Sequence, residues 1–159
     1  MPPITPCLWF DGDAEAAVEL YTSIFDNSRI LRTMRYAEGG RGEAGSVMAV
    51  DFELDGQPFM ALNGGPGHPF TQAISLQVPC DTQEEIDRYW DALRAGGGQE
   101  VVCGWLEDRF GLSWQVFPRR LTELMSDEDP DVARRATEAM LAMKKIDLAA
   151  IEAAAAAPA

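Results

Sequence analysis

EDRFGLSWQVFP, running from Glu107 to Pro118, reads as a tight turn feeding a strand. Gly111 can take the positive φ that a sharp reversal needs, and Asp108 has the side chain that hydrogen-bonds turn backbone. From Leu112 to Phe117 the residues alternate in character and are rich in aromatic and β-branched types, as in a strand. Strand geometry sends Ser113, Gln115 and Phe117 to one face and Leu112, Trp114 and Val116 to the other. Gln115 stands out as a neutral amide in an otherwise apolar strand. Arg109 and Asp108 read as turn and surface residues.

Upstream of this strand the spacing predicts short strands at Trp105–Glu107 and Gln99–Cys103. Before them comes a helix capped by Asp81 or Thr82, with Glu85 three residues beyond Thr82 in capping-box spacing. Ile86, Tyr89, Trp90 and Leu93 form its buried face, and Gly96 to Gly98 stop it. Thr71 to Val78 reads as the strand that opens the set.

The same order occurs earlier in the chain. Ile4 to Phe10 is a strand, with Pro6 arguing for an edge or early-strand position. A helix capped by Asp11 or Asp13 runs to about Phe25. Arg29 to Tyr36, Ser46 to Leu54 and Gln57 to Leu62 are strands, the last two joined by a hairpin at Asp55-Gly56. Glu38 to Gly45 and Asn63 to Phe70 are glycine-rich loops. Each half thus reads strand, helix, three strands, with a period of about seventy residues, too long for a solenoid unit. After Pro118 the pattern becomes helical. A short turn of helix at Thr122–Met125 precedes a helix opening at Asp129-Pro130. Its stripe of Val132, Ala136, Ala139, Met140 and Met143 needs a surface to pack on. Ile146 to Ala157 reads as a further helix.

The 159 residues carry a formal net charge of −13, which disfavours nucleic acid and anionic membranes as partners. No apolar run approaches the ~20 residues of a membrane span. MPPITPCLWF lacks the features of a signal peptide. Cys7, Cys80 and Cys103 form no CxxC, so reduced thiols and a cytoplasmic location are expected. There is no GxGxxG after a strand, no P-loop and no GxSxG elbow. His68 is the only histidine and reads as a solvent-facing loop residue, so metal sites built on His or Cys are not expected. Trp9, Trp90 and Trp114 read as core aromatics between sheet and helix.

ITPCLWFDGDAEAAVELYTSIF at Ile4–Phe25, FMALNGGP at Phe59–Pro66, WLEDRFGLSWQVFP at Trp105–Pro118 and the tail AMLAMKKIDLAAIEAA together carry a resemblance. The chain resembles the vicinal oxygen chelate superfamily, which includes glyoxalase I, bleomycin-resistance proteins and extradiol dioxygenases. Within it the chain is similar to the PhnB-like family labelled 3-demethylubiquinone-9 3-methyltransferase. The resemblance implies an α+β fold in which two βαβββ modules, at about 4–63 and 71–118, curl mixed sheets around a cavity. Residues 1–120 would form that glyoxalase-like domain and 121–159 a C-terminal helical extension. It also implies a homodimer.

Metal-using members place His, Gln or Glu on four strands. The corresponding positions fall at Pro6 or Leu8, Ala61 or Asn63, Ala73 or Ser75, and Gln115, none of them His or Glu. A metal needs stronger donors than one Gln and one Asn, so no metal and no cofactor are expected. The reading that follows is metal-independent binding or sequestration of a small molecule, aromatic ones included. Gln115, Asn63, Ser75 and Gln77 would supply hydrogen bonds, and Phe10, Phe70, Trp105 and Phe117 apolar walls. No catalytic residue is assigned. The alternatives are S-adenosylmethionine-dependent quinol methylation, as the family label implies, and a metal-dependent lyase or dioxygenase.

Overall fold

A computed structural model describes residues 4–157 of the chain, which divides into two compact units, Met1–Phe70 and Thr71–Ala159. The first unit contains β1 (Cys7–Phe10), α1 (Ala14–Ile24), β2 (Arg29–Arg35), β3 (Val47–Leu54) and β4 (Gln57–Asn63). Its sheet order is β1-β4-β3-β2, with β1 parallel to β4 and the other pairs antiparallel. Pro6 lies just outside the edge strand β1, and its carbonyl accepts from the Met60 N–H at 2.9 Å. Strand alternation buries Leu8, Phe10, Val50, Phe52, Leu54, Phe59 and Ala61 on one side. The buried stripe Ala14, Ala17, Val18, Tyr21 and Ile24 of α1, which packs on β3 and β4, covers that side. Phe52 and Phe59 stack across the β3–β4 pair with centroids 5.4 Å apart, worth about 1 kcal/mol beyond their burial. Asp55 and Gly56 both have positive φ, 47° and 76°, as the two-residue hairpin requires. The edge strand β2 is exposed along most of its length and carries arginines, a composition that discourages edge-to-edge pairing.

The second unit repeats the plan with β5 (Ser75–Cys80), α2 (Gln83–Arg94), β6 (Gln99–Glu100), β7 (Trp105–Glu107) and β8 (Ser113–Pro118). Its order is β5-β8-β7-β6, again with the first strand parallel to the last. The strand expected from Thr71 begins only at Ser75, because its partner begins at Ser113 and residues before Ser75 have no ladder to join. The strand expected at Gln99–Cys103 shortens to two residues. The chain turns there instead, with Val101 N donating to Trp105 O and Trp105 N to Val102 O. The capping box forms with a shift: Thr82 Oγ1 accepts from Glu85 N, while the Glu85 carboxylate accepts from Asp81 N at 2.6 Å.

Asp108 is a correction to the sequence reading. It is buried, not a surface residue. Its Oδ1 accepts from Phe110 N and Leu112 N at 2.8 and 3.1 Å, and its Oδ2 from the Trp114 indole at 2.9 Å. The turn Asp108–Leu112 and the first residues of β8 are therefore fixed by one carboxylate.

Beyond β8 lie α3 (Arg119–Met125), α4 (Pro130–Leu141) and α5 (Leu148–Ala156). Asp129 and Asp147 cap α4 and α5 through their side chains. The last helix starts two residues later than the sequence suggested, since Ile146 is fully buried in the core instead. Leu121, Leu124, Ala136, Ile146, Ile151 and Ala155 form that core, with Phe117, Val132, Ala139, Met140 and Met143 packed against it. The Met-and-Ala stripe thus finds its surface within its own chain. Segment 143–148 is tied back by Cys103 N to Met143 O, Gly104 N to Lys144 O, and the Gln83 amide bridging Ile146 O and Leu148 N. No helix among the described residues is long and apolar enough to cross a membrane.

Candidate functional site

The β2–β3 loop, the start of α1 and the ends of β1 and β4 enclose an open cleft of about 1110 Å³ in the first unit. Its aromatic walls are Trp9 and Tyr36, and each is pinned twice. The Tyr36 hydroxyl donates to Asn63 O at 2.8 Å, and its ring lies so close to Gly42 that an added Cβ would sit 2.4 Å from it. The Trp9 indole donates to Gly65 O at 2.8 Å, and a Cβ on Gly64 would sit 2.2 Å from its ring. A side chain at 42 or 64 would therefore force the ring beside it to move. Trp9 is a second correction: it sits with exposed Cys7 on the sheet face away from α1 and meets the His68 ring edge-on at 4.7 Å.

Asn63 lines this cleft. Its amide is committed to backbone: Oδ1 accepts from Ala14 N at 2.9 Å and Nδ2 donates to Val47 O at 3.0 Å. It caps α1 in place of Asp13, whose side chain makes no cap bond. Val47, Met48 and Leu62 add apolar lining, and Arg35, Arg41, Asp11 and Glu15 bring charge. Phe10 and Phe70 pair edge-to-face with centroids 5.2 Å apart, and Phe10 is a core residue.

The remaining expected residues meet in the second unit. Ser75, Gln77, Gln115, Trp105 and Phe117 share one face of its sheet, since Gln115 stands opposite both Gln77 and Trp105. Gln115 Nε2 donates to Ser75 Oγ at 2.7 Å, and Gln77 Nε2 approaches Gln115 Oε1 at 3.4 Å. Ser113, opposite Ser75, is fully buried, and its hydroxyl has no hydrogen-bond partner among the described residues. Phe117 is partly buried against the core formed by the C-terminal helices.

Two of the three thiols, Cys80 and Cys7, are held in their protonated form above the ordinary value. Burial, reinforced by Glu85 and Asp81 and opposed by Arg119, pushes Cys80 up to about 11. Burial also raises Cys7. Among the described residues no three His, Cys, Asp or Glu side chains are grouped to hold a metal ion. The sequence reading missed Trp9, Tyr36, Arg35 and Arg41 as cleft residues. The signal was the pair of glycine-rich loops, whose glycines sit against the two rings.

The family described as 3-demethylubiquinone-9 3-methyltransferase matches residues 2–117. The PhnB protein from Bacillus cereus is 40% identical, covers 73% of this chain and 99% of its own, and superposes with a TM-score of 0.65. Protein PA1353 from Pseudomonas aeruginosa, 20% identical over 74% of this chain and 98% of its own, shares the fold with a TM-score of 0.61. So does the fosfomycin resistance protein FosX from Mesorhizobium loti, 13% identical over 71% and 87%, at 0.51. No functionally curated protein matches the chain. The expected family and α+β architecture are both found: this chain belongs to the 3-demethylubiquinone-9 3-methyltransferase (PhnB-like) family and has the glyoxalase-like, vicinal oxygen chelate fold.

Proposed function

We propose, taking membership of that family as the premise, that this protein binds a small flat organic molecule in the cleft of its first unit and sequesters it without a metal ion. The observation that carries the reading is the pinning of Trp9 and Tyr36, each by a hydrogen bond at its polar end and a glycine against its ring. Rings held this way present apolar area that is already ordered, so binding costs little further side-chain entropy. A thermal-shift screen tests it, because a ligand of the native state raises the midpoint by mass action. The panel comprises divalent metals, S-adenosylmethionine, quinols, aromatic antibiotics and small oxoacids. An organic ligand that shifts the midpoint, and loses the shift in Tyr36→Ala, supports the cleft. A shift with S-adenosylmethionine moves methyl transfer to the front, and a shift with zinc, nickel, manganese or iron does the same for lyase or dioxygenase chemistry.

One observation favours a second placement of the ligand. The Ser75–Gln115–Gln77 chain of polar groups lies beside the orphaned Ser113 hydroxyl, with Trp105 adjoining. Ser75 and Gln115 are half-buried and Gln77 is exposed, so their polar ends can meet a ligand, whereas the fully buried Ser113 hydroxyl lies out of its reach. If Gln115→Ala abolishes the ligand shift and Tyr36→Ala preserves it, this face is the site. The same reading takes the protein as a cytoplasmic homodimer, which sedimentation would report as a species of twice the 17.4 kDa chain mass.

A further inference from the structure

The first unit holds four arginines and no lysine. Arg29 pairs with Glu53 at 2.9 Å and Arg32 with Asp51 at 2.6 Å. Arg35 and Arg41 pair with no carboxylate among the described residues, and both line the cleft. That is unexpected in a chain with 26 acidic and 13 basic side chains, where carboxylates are abundant. Arg35 makes one backbone contact, donating from Nη1 to Gly45 O at 3.0 Å, which leaves most of its guanidinium donors free. The start of α1 contributes two carboxylates to the same cleft, Asp11 and Glu15, and neither has an ion-pair partner among the described residues. The site therefore carries two cations from strand β2 and its loop and two anions from the helix start, with pinned aromatic rings in the same lining.

A ligand bearing only negative charge would gain from the arginines and lose to the carboxylates, and a cation would meet the reverse. A dipolar ligand gains from both. From this distribution we infer that the cleft takes a small zwitterion with a flat apolar body: its anionic group faces Arg35 and Arg41, its ammonium group Asp11 and Glu15, and its ring Trp9 or Tyr36. This rests on the cleft reading and adds the charge class of the ligand.

Calorimetric titration of the full chain with four probes sharing one ring tests it: 3-phenylpropan-1-ol, 3-phenylpropionate, 2-phenylethylamine and L-phenylalanine. The expected result is that phenylalanine binds about tenfold more tightly than the alcohol, with the two singly charged probes between or below them. An exposed charge pair is worth roughly a threefold change in affinity. Arg41→Gln should remove about threefold from phenylalanine and phenylpropionate and leave the alcohol unchanged, and Glu15→Gln should act likewise on phenylalanine and phenylethylamine. Raising the salt should erode the preference, because the charges are exposed. Equal binding of all four probes overturns the zwitterion inference and leaves the cleft standing. Binding of none of them by the folded full chain overturns the zwitterion inference as well, while the cleft reading itself falls if a ligand that shifts the midpoint keeps its shift in Tyr36→Ala.

Discussion

The two units share a strand order and differ in what secures it. In the first, β2 and β3 run for seven and eight residues and the sheet carries a stacked aromatic pair. In the second, the equivalent strands β6 and β7 have two and three residues, and order comes from the Asp108 turn and the helical core after Pro118. Their helices are capped differently too. Thr82 caps α2 from its own sequence neighbourhood, whereas α1 is capped by Asn63, the last residue of its unit's last strand. The parallel pairing of first and last strands is common to both units. The topology is thus satisfied by quite different local chemistry.

That contrast can be tested by substitution, and the largest effect should come from the Asp108 turn. Asp108→Ala removes the acceptor of three N–H groups, two of these bonds being buried, and should cost about 3–5 kcal/mol in urea unfolding. Asp108→Asn keeps Oδ1 for the two backbone donors and loses only the indole acceptor, so about 1–2 kcal/mol is expected. The matching hairpin residue of the first unit, Asp55, is exposed, and Asp55→Ala should cost under about 1 kcal/mol. Equal losses at 108 and 55 would break the claim that the two units are held differently.

The caps come next. Asn63→Ala removes a cap and a donor to Val47 O together and should cost about 2 kcal/mol, against about 1 kcal/mol for Thr82→Ala. Unfolding curves in which Thr82→Ala is the worse of the two would reverse that ranking. Cys80 sharpens the same comparison from the side of reactivity. With its thiol held up to about 11, it should resist Ellman's reagent at neutral pH until the protein is denatured. Rapid modification of the native Cys80 would mean that the second unit opens locally.

The smallest effect concerns the tie between α2 and the segment before α5, where Lys145 Nζ lies 2.7 Å from Asp87. The Lys145 hydrogen bond, helped by Gln83, lowers Asp87, and Asp87 in turn raises Lys145. A lowered carboxylate stabilises above its ordinary value of 3.8 and loses that contribution as pH falls through the folded value. A raised amine stabilises below its ordinary 10.5 and loses its share as pH rises through the folded value. Lys145→Met should therefore cost about 0.5 kcal/mol across the neutral range. The cost should vanish in strong acid, and thermal melts across pH would show whether it does.

Local chemistry was legible in the sequence, and remote chemistry was not. The hairpin at Asp55-Gly56, the Thr82–Glu85 cap and the Asp129-Pro130 helix start depend on near neighbours and were found where expected. The gathering of Ser75, Gln77 and Gln115 on one face followed from strand parity. Asn63 was singled out, yet its partners Ala14 and Val47 lie far off in sequence, so no spacing rule marks it as a helix cap. Asp108 looked exposed because acidic turn residues usually are. Its burial depends on Trp114 closing over the turn and donating to it. The cleft arginines were hidden for a related reason: absence of a pairing partner is a property of three-dimensional neighbours alone.

Asn63 also makes the first helix depend on the last strand of its unit. As the chain leaves the ribosome, α1 emerges before β2, β3 and β4, and its first turn waits for an acceptor that arrives only with the last residue of β4. The same amide then fastens the first residue of β3 through Val47 O. A nascent chain halted before residue 63 has its helix unlatched and β1 short of its last partner, Asn63 opposite Phe10. Residue 63 supplies that latch, and the Trp9 indole waits two residues longer for Gly65 O, so the first unit's cleft is complete only with its glycine-rich tail in place.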